Sequence, residues 1–495
     1  MEIYDIDELQ TERKSLLSVI VKYVESDALH DELHHVELRI FRFLLALGLC
    51  LLKEVLARHG IGKSTTPIHD TNGDVLYYHS VKSRRYLSIF GLIKINRAYY
   101  RDKNGNGFYP LDARLNLPSR RYSYLLQQWT QSEIAETTYD HATGGLSDLL
   151  GIGVWKRGQE DVARECTTYL QPFYDQKPSP PDDEEGSVLC ITADCKGVRM
   201  VSSEKPDTGK PVASGKARLS RGDKRCGLRR DAVVTSDYTF NPRSRTPEEV
   251  VAALMKTGNK SVPEKRQGQP LPREPQNKQT FAHMNGKTAA FEFLADRISC
   301  RDPASCKPIY IQIDGALALE QGLMLEITRR GWNRRVSGIC LDIIHVMEYV
   351  WEAGTALYGE KGKEREPWVS KTALEILRGK VGYVVGGLKQ RLTKDPTGLR
   401  ESQKIVLKKV IRYFENHRHM MRYDVFLKAG YPIATGVIEG ACGSLVKERT
   451  DCSGMRWTKK GVQAVLDLRA LKRNGDWDNY WKYHIDCEKQ RLYAA

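Results

Sequence analysis

Residues 307–331 read KPIYIQIDGALALEQGLMLEITRRG. Ile309 to Ile313 is a short, continuous apolar run of the kind buried inside a parallel sheet; Asp314-Gly315 ends it, and an amphipathic helix follows. The same pattern stands on both sides. Upstream, SVLCITADCKGVRMV (187–201) runs from Val188 to Ala193 as a buried strand, then meets Asp194 and a Lys-Gly turn. Downstream, RVSGICLDIIHVMEYVWEA (335–353) is a strand ending in Asp342 that runs into a helix, with His345 one turn later. The order strand, hairpin, strand, helix, strand, helix predicts an α/β domain, and such sheets carry ligands at the carboxyl ends of their strands. An Asp before Gly also serves as an ordinary turn residue. Acids at successive strand ends can converge on one spot, however, and converging carboxylates repel and need a cation. Hard oxygen donors favour Mg²⁺ or Mn²⁺.

A fourth segment adds a glutamate. In YPIATGVIEGACGSLVKERTDCSGMRWTKKG (431–461), Pro432 and Gly436 break the preceding helix, and a new one is expected to start near Thr435 or Gly436. Glu439 then falls in its first turn, with Cys442, Gly443 and Val446 on the same face. The small residues predict that this helix lies close against the sheet. A lone Glu there also complements the helix dipole.

The chain has 495 residues, with 77 Lys plus Arg against 62 Asp plus Glu, a formal net charge of +15. That length predicts three or four structural units. With 41% hydrophobic and 28% charged residues, the composition is that of a globular protein and excludes a wholly disordered or collagen-like chain. The longest apolar run, Leu44–Leu52, is about half of what a bilayer crossing needs, so no membrane partner is expected. The acidic start, MEIYDIDELQTER, carries no apolar segment and predicts no secretory signal. Eleven cysteines include no C-x-x-C pair, which argues against a zinc ribbon or a redox dithiol. Cys50 and Cys340 lie in apolar runs and read as small core residues in a reducing cytoplasm. The excess positive charge points to a polyanionic partner, nucleic acid first among them.

Residues 1–60 are helical in pattern, with Val36, Ile40, Phe43, Leu44, Leu47, Leu51 and Val55 at three- and four-residue spacing and Gly60 as a stop. Segment 75–110, with VLYYHSV, RYLSIFGLIKINRAYYR and the DKNGNG turn, predicts a short antiparallel sheet. Residues 119–172 return to helix. Within them, 135–170 has the outline of a helix-turn-helix, its second helix near Val154–Tyr169 carrying Lys156, Arg157 and Arg164 for DNA; two packed helices joined by glycine is the plainer alternative. QKPSPPDDEEGS (176–187) reads as a linker, and 257–279, with four prolines, as a polar loop inside the next domain.

TADCKGV, QIDGA, CLDIIHVMEYVW and PIATGVIEGACGSLVKERTDCSGMRW occur in the order found in bacterial insertion-sequence DDE transposases, and the chain resembles their ISKra-type group, distantly related to the Mutator-like enzymes. IFGLIKINRAYYR, FYPLDARLNLPSRRYS and LRALKRNGDWDNYW resemble the same group, so the likeness spans most of 75–485. The Glu439 segment is its most specific block. The resemblance implies an α/β catalytic core, a ribonuclease-H-like mixed sheet, with a helical insertion and a mostly α N-terminal DNA-binding region bearing a small β segment. By this likeness residues 1–175 form the DNA-binding region and 176–187 the linker. Residues 188–345 with 432–485 form the catalytic domain, and 346–431 an all-helical insertion.

The resemblance further implies Asp194, Asp314 and Glu439 as catalytic acids and ligands of Mg²⁺ or Mn²⁺, with two ions expected. Asp342 and His345 match the C/D-x-x-H motif of related transposases, and Asp342 is the substitute for the second acid. His345 either acts near the scissile phosphate or holds Asp342. Cys195 stands where the group's glycine is usual, which a negative φ would tolerate, and the cysteine pairs of some relatives are missing. Lys447, Arg449, Arg456, Lys459 and Lys460 follow Glu439 and can grip phosphates, while Trp457 stacks on a displaced base or packs in the core. The implied reaction is cleavage at the element's ends by water, then attack of the freed 3′ hydroxyl on target DNA. Its partners are the terminal repeats and target duplex, in a synaptic homodimer or larger assembly on the cytoplasmic nucleoid. The rival readings are a nuclease or resolvase without strand transfer, and a domesticated DNA-binding regulator with a dead site.

Overall fold

The computed structural model describes residues 4–69, 73–102, 107–201, 229–256, 275–394 and 398–493. Most of the polar stretch 257–279 and of the DKNGNG turn therefore lies outside the described residues; Gln276–Gln279 is not loop but the start of a strand. The chain divides into two compact units, residues 1–169 with 475–495, and residues 170–474.

The first unit opens with the helices Ile6–Glu25 and Leu33–His59. Asp5 caps the first by accepting from the amides of Asp7 and Glu8, and Gly60, at φ 61°, ends the second. Strands β1 (Ile68–His69), β2 (Val75–Ser88), β3 (Gly91–Arg101) and β4 (Gly107–Phe108) form an antiparallel sheet in sequence order. Helices Tyr124–Glu136, Tyr139–Leu150 and Gln159–Cys166 follow. The second member of the expected helix pair thus begins at Gln159, after Gly158 at φ 86°, so Lys156 and Arg157 sit on the turn and only Arg164 on the helix. A second correction concerns 475–485, which the sequence assigned to the catalytic domain. Helix Trp477–Tyr493 instead belongs to the first unit, where Trp481 packs in one core cluster with Leu87, Leu126, Val162 and Cys166. The Tyr480 hydroxyl donates to the Cys166 carbonyl at 2.7 Å and that of Tyr169 to Glu488 at 2.8 Å.

The second unit begins at Leu170, six residues before the proline-rich stretch read as a linker. It is a mixed α/β layer structure. Strands β5 (Val188–Arg199), β6 (Arg229–Phe240), β7 (Gln276–His283), β8 (Ile309–Ile313) and β9 (Val336–Leu341) lie in the order β7-β6-β5-β8-β9. The first three are antiparallel and β5, β8 and β9 parallel. Every residue of β8 is buried, as expected for a strand covered on both faces. Helices Lys287–Arg301, Leu317–Arg329 and Ile343–Tyr358 connect or follow the strands. Helices Arg365–Leu377, Val381–Lys394, Glu401–His417 and Tyr423–Ala429 occupy the stretch before Pro432, and helix Lys459–Arg473 closes the unit.

Arg301 anchors the far end of this sheet. Its guanidinium, 2% exposed, holds Glu185 at 2.6 Å and Asp237 of β6 at 2.7 Å, both buried, and donates to the Gln276 carbonyl. Losing one member of such a buried cluster strands charges without compensation. Arg301→Leu is expected to lower stability by about 3–5 kcal/mol in urea unfolding, where a surface Arg→Leu change stays within about 0.5 kcal/mol.

Candidate functional site

Register decides where the acids fall. Ala193 of β5 pairs with Ile313 of β8, and Ile313 with Leu341 of β9. Asp194, Asp314 and Asp342 each stand one residue further on. The three acids therefore follow one level of three adjacent parallel strands, whose backbones run about 4.8 Å apart. Alternation turns them to one face, the face that carries Tyr310 and Gln312.

That face is covered by the segment leading to Glu439. The Tyr310 hydroxyl and the Gln312 amide both donate to the Pro432 carbonyl, at 2.8 and 2.9 Å, and the Ile343 amide donates to the Ile433 carbonyl. The helix Gly436–Ala441 then begins after Thr435 and widens into a turn of π-helix, Cys442–Lys447. The small residues were expected to let this helix lie close against the sheet, and it does pack on β5 and β6, with Ala441 and Cys442 on its buried face beside Ile438, Leu445 and Val446. The glycines take no part, since a Cβ at Gly436, Gly440 or Gly443 would meet nothing within 4 Å.

Asp342, at 0% exposure, is a fastener. One oxygen accepts from the Ile344 amide at 3.0 Å and the Thr435 amide at 3.2 Å; the other accepts from the Thr435 hydroxyl at 2.5 Å and His345 Nδ1 at 3.1 Å. It caps helix Ile343–Tyr358 and ties the end of β9 to the start of the Glu439 helix. Burial pushes its pKa up, but the bonds from His345, Thr435 and the backbone outweigh burial and leave it below the usual carboxylate range. The same bond raises His345 to about 9 against a smaller opposing effect of burial.

Asp194 and Asp314 are spent far less. The Asp194 carboxylate accepts from the Cys195 amide and, at 3.2 Å, from the Cys442 thiol. Burial and the Asp194 charge both push the Cys442 thiol upward, so it stays a donor. Cys195 has no positive φ, so the strand accommodates it where the related group has glycine. Asp314 accepts one bond, from the Ala316 amide at 2.9 Å, and Glu439 is exposed. Among the described residues no Lys or Arg forms an ion pair with Asp194, Asp314 or Glu439. Among the described residues two groups bring ligand atoms within 4.8 Å of one another, the exposed Glu32, His34 and His35 and, in this unit, Asp342, His345 and Glu439; Asp194, Asp314 and Glu439 do not meet that spacing among themselves. Asp342 and His345 already satisfy each other, which leaves Glu439 as the group's unspent donor. Asp194, Asp314 and Glu439 are hard oxygen donors of the type that a divalent cation takes, but they do not converge on one coordination position.

Two residues escape any reading of sequence. On helix Glu401–His417, the Tyr413 hydroxyl donates to the Asp314 carbonyl at 3.3 Å, and His417 Nε2 lies 2.8 Å from the Gly315 carbonyl. Gly315, at φ 91°, has no room for a Cβ beside Leu341 and the His417 ring. The helical stretch after β9 thus grips the turn that carries Asp314. Thr435, by contrast, has a visible signal, a hydroxyl residue just before a helix.

The expected phosphate grips divide. Lys447, Arg456 and Lys460 are exposed and Lys459 half-buried. Arg449 is fully buried, 4.8 Å over the Trp457 ring, so it is a core cation and not a DNA contact. Trp457 is buried too; its backbone pairs with Arg199 and Val201 and its indole donates to the Thr450 carbonyl, leaving no face for a base. In the first unit Lys156 is paired with Asp140 at 2.6 Å and Arg164 with Asp161, while Arg157 is exposed.

A fastener and a ligand respond oppositely to removal. Asp342→Ala strands the Thr435 and Ile344 donors and is expected to destabilise by about 2–4 kcal/mol. Asp194→Asn and Asp314→Asn relieve repulsion and are expected to change stability by less than about 0.5 kcal/mol or to raise it; urea midpoints separate the two classes. The Asp342–His345 pair also sets a pH window. His345 is raised above its unfolded value of about 6.5, so its contribution is complete below that pH and lost as pH rises through about 9. Asp342 is depressed, so its contribution is complete above about 3.9 and lost as pH falls below it. The thermal midpoint is expected to decline on the alkaline side, and His345→Gln to remove that decline.

Compared with models of protein families and with curated proteins, the sequence matches none.

Proposed function

We propose that the chain is a DDE-type DNA transposase of the insertion-sequence kind it resembles, built on a ribonuclease-H-like core and using Mg²⁺ or Mn²⁺. The observation that carries this reading is the pair of unspent carboxylates, Asp194 and Asp314, side by side on neighbouring parallel strands. Glu439 follows on a helix whose leading segment is stitched to the same sheet face, where it lies beside Asp342 and His345. Asp194, Asp314 and Glu439 are the residues that would hold the metal, with Glu439 lying nearer to Asp342 and His345 than to a position shared by all three acids. Bound there, it supplies the positive charge that activates an attacking oxygen and stabilises the leaving one in an in-line displacement at phosphorus.

The remaining work belongs to the protein's own residues. Asp342 and Thr435 fix the Glu439 helix, and Tyr413 with His417 fix the Asp314 turn. The Cys442 thiol orients one oxygen of Asp194. His345, held by Asp342 as an imidazolium at neutral pH, lies beside Glu439 and offers a cation to a scissile phosphate. Each chemical step exchanges one P–O bond for another, first to water and then to a 3′ hydroxyl, with no covalent bond to the protein. Lys447, Arg456, Lys459 and Lys460 are the residues nearest in sequence that can take phosphates. The net charge of +15 agrees with a polyanionic partner.

The test is a strand-transfer assay with oligonucleotides bearing the DNA that flanks the gene. Asp194→Asn, Asp314→Asn and Glu439→Gln are each expected to reduce cleavage and joining by at least about 10³-fold while DNA binding persists. Full activity of Asp314→Asn in Mg²⁺ would falsify the assignment. Cleavage without joined product selects a nuclease, and binding without metal-dependent cleavage selects a DNA-binding regulator.

A further inference from the structure

β2 reads VLYYHSVKSRRYLS and β3 reads GLIKINRAYYR: the two long strands of the first unit hold no acidic residue. They hold six basic ones, in a chain whose overall ratio is 77 to 62. Arg84 and Arg97 are consumed internally, both on the buried Asp112. Lys82, Arg85, Lys94 and Arg101 are exposed, and none forms an ion pair among the described residues.

Their placement is unfavourable for a surface with no partner. Arg85 lies directly opposite Lys94 across the ladder, a like-charge pair that destabilises an antiparallel ribbon. The Lys82 ammonium rests 3.8 Å over the Tyr99 ring, and Arg101 stands opposite the exposed Tyr77, next to exposed Tyr78 and His79. The ribbon changes its buried side along its length. Ile93 and Ile95 pack with Leu111 and Leu117, whereas Ala98 and Tyr100 pack with Leu76. Residues at odd and even positions of β3 point to opposite faces. Arg85 and Lys94 are thus on the face left open at one end, and Lys82 and Arg101 on the opposite face, which is the one left open at the other end; the exposed charge at both ends is of one sign.

We propose that the β2–β3 ribbon is a duplex-DNA-binding surface of this unit, holding phosphates through Lys82, Arg85, Lys94 and Arg101. The inference rests on the transposase reading for its choice of polyanion. Away from its Arg101 end, where β1 and β4 flank it, the β2–β3 ribbon is two-stranded, and such a ribbon fits the roughly 12 Å width of a major groove. At about 3.3 Å per residue, the 14 residues of β2 extend about 45 Å, more than the roughly 34 Å of one duplex turn. The helix pair at 135–170 offers less, because Lys156 and Arg164 are already neutralised.

The experiment measures binding of the full chain to a short labelled duplex as salt is varied. Changing Lys82, Arg85, Lys94 and Arg101 together to Gln is expected to flatten the slope of log K against log salt by about 0.9 per lost contact, up to about 3.6. Changing Lys156, Arg157 and Arg164 to Gln is expected to flatten it by less than about 1. Arg85→Glu provides a readout that misfolding cannot mimic: it replaces a repulsive cross-strand pair by an attractive one, so the thermal midpoint should rise while DNA binding weakens. Tight duplex binding with an unchanged slope in the four-fold variant overturns the ribbon and leaves the transposase reading standing. Failure of the unaltered chain to bind duplex at low salt overturns both. Preference for anionic phosphatidylserine vesicles over duplex overturns the ribbon's assignment to DNA.

Discussion

Like charges on neighbouring strands set the terms for the second unit. Two carboxylates a strand spacing apart repel by about 3 kcal/mol at an effective dielectric of about 20. The ladder pairing of Ala193, Ile313 and Leu341 creates two such repulsions in one row. The chain settles only one end of it. Asp342 receives four hydrogen bonds, one of them from an imidazolium, whereas Asp194 and Asp314 receive neutral donors alone. The imbalance distinguishes an acid that holds the protein together from two acids that carry little of that work. It also explains why so much of the surrounding structure converges on Pro432–Thr435 and on the Asp314 turn.

Much of the sheet is legible in the sequence because its strands are nearly pure apolar runs ended by an acid. Val188–Ala193, Ile309–Ile313 and Val336–Leu341 announce themselves in that way, and Pro432 with Gly436 announces the helix that follows. The division of labour among the acids is not legible. Asp314 and Asp342 look alike in sequence, since each closes a strand before a helix; what separates them is Thr435, 93 residues from Asp342. Tyr413 and His417 are hidden for the same reason, lying 99 and 102 residues from the carbonyls they meet.

Basic residues mislead for a different reason. A long aliphatic stem lets Arg serve either in the core or at a phosphate. Arg449 and Lys447 sit two positions apart, yet one is sealed over an indole and the other faces solvent. Which one reaches solvent depends on the π-helical turn at Cys442–Lys447, which rotates the following residues away from ordinary helical phase. Lys156 was misplaced by a shorter slip, because Gly158 delays the helix start by a turn.

The helix Trp477–Tyr493 has a consequence in time. A ribosome delivers Leu87, Leu126, Val162 and Cys166 more than 300 residues before it delivers Trp481, which completes their cluster. Until then that cluster stands open to water, while the chain between residues 170 and 474 is free to fold behind it as it emerges. The unit begun first is therefore the unit finished last. A nascent chain in that interval leaves this apolar seam uncovered until helix Trp477–Tyr493 arrives to close it.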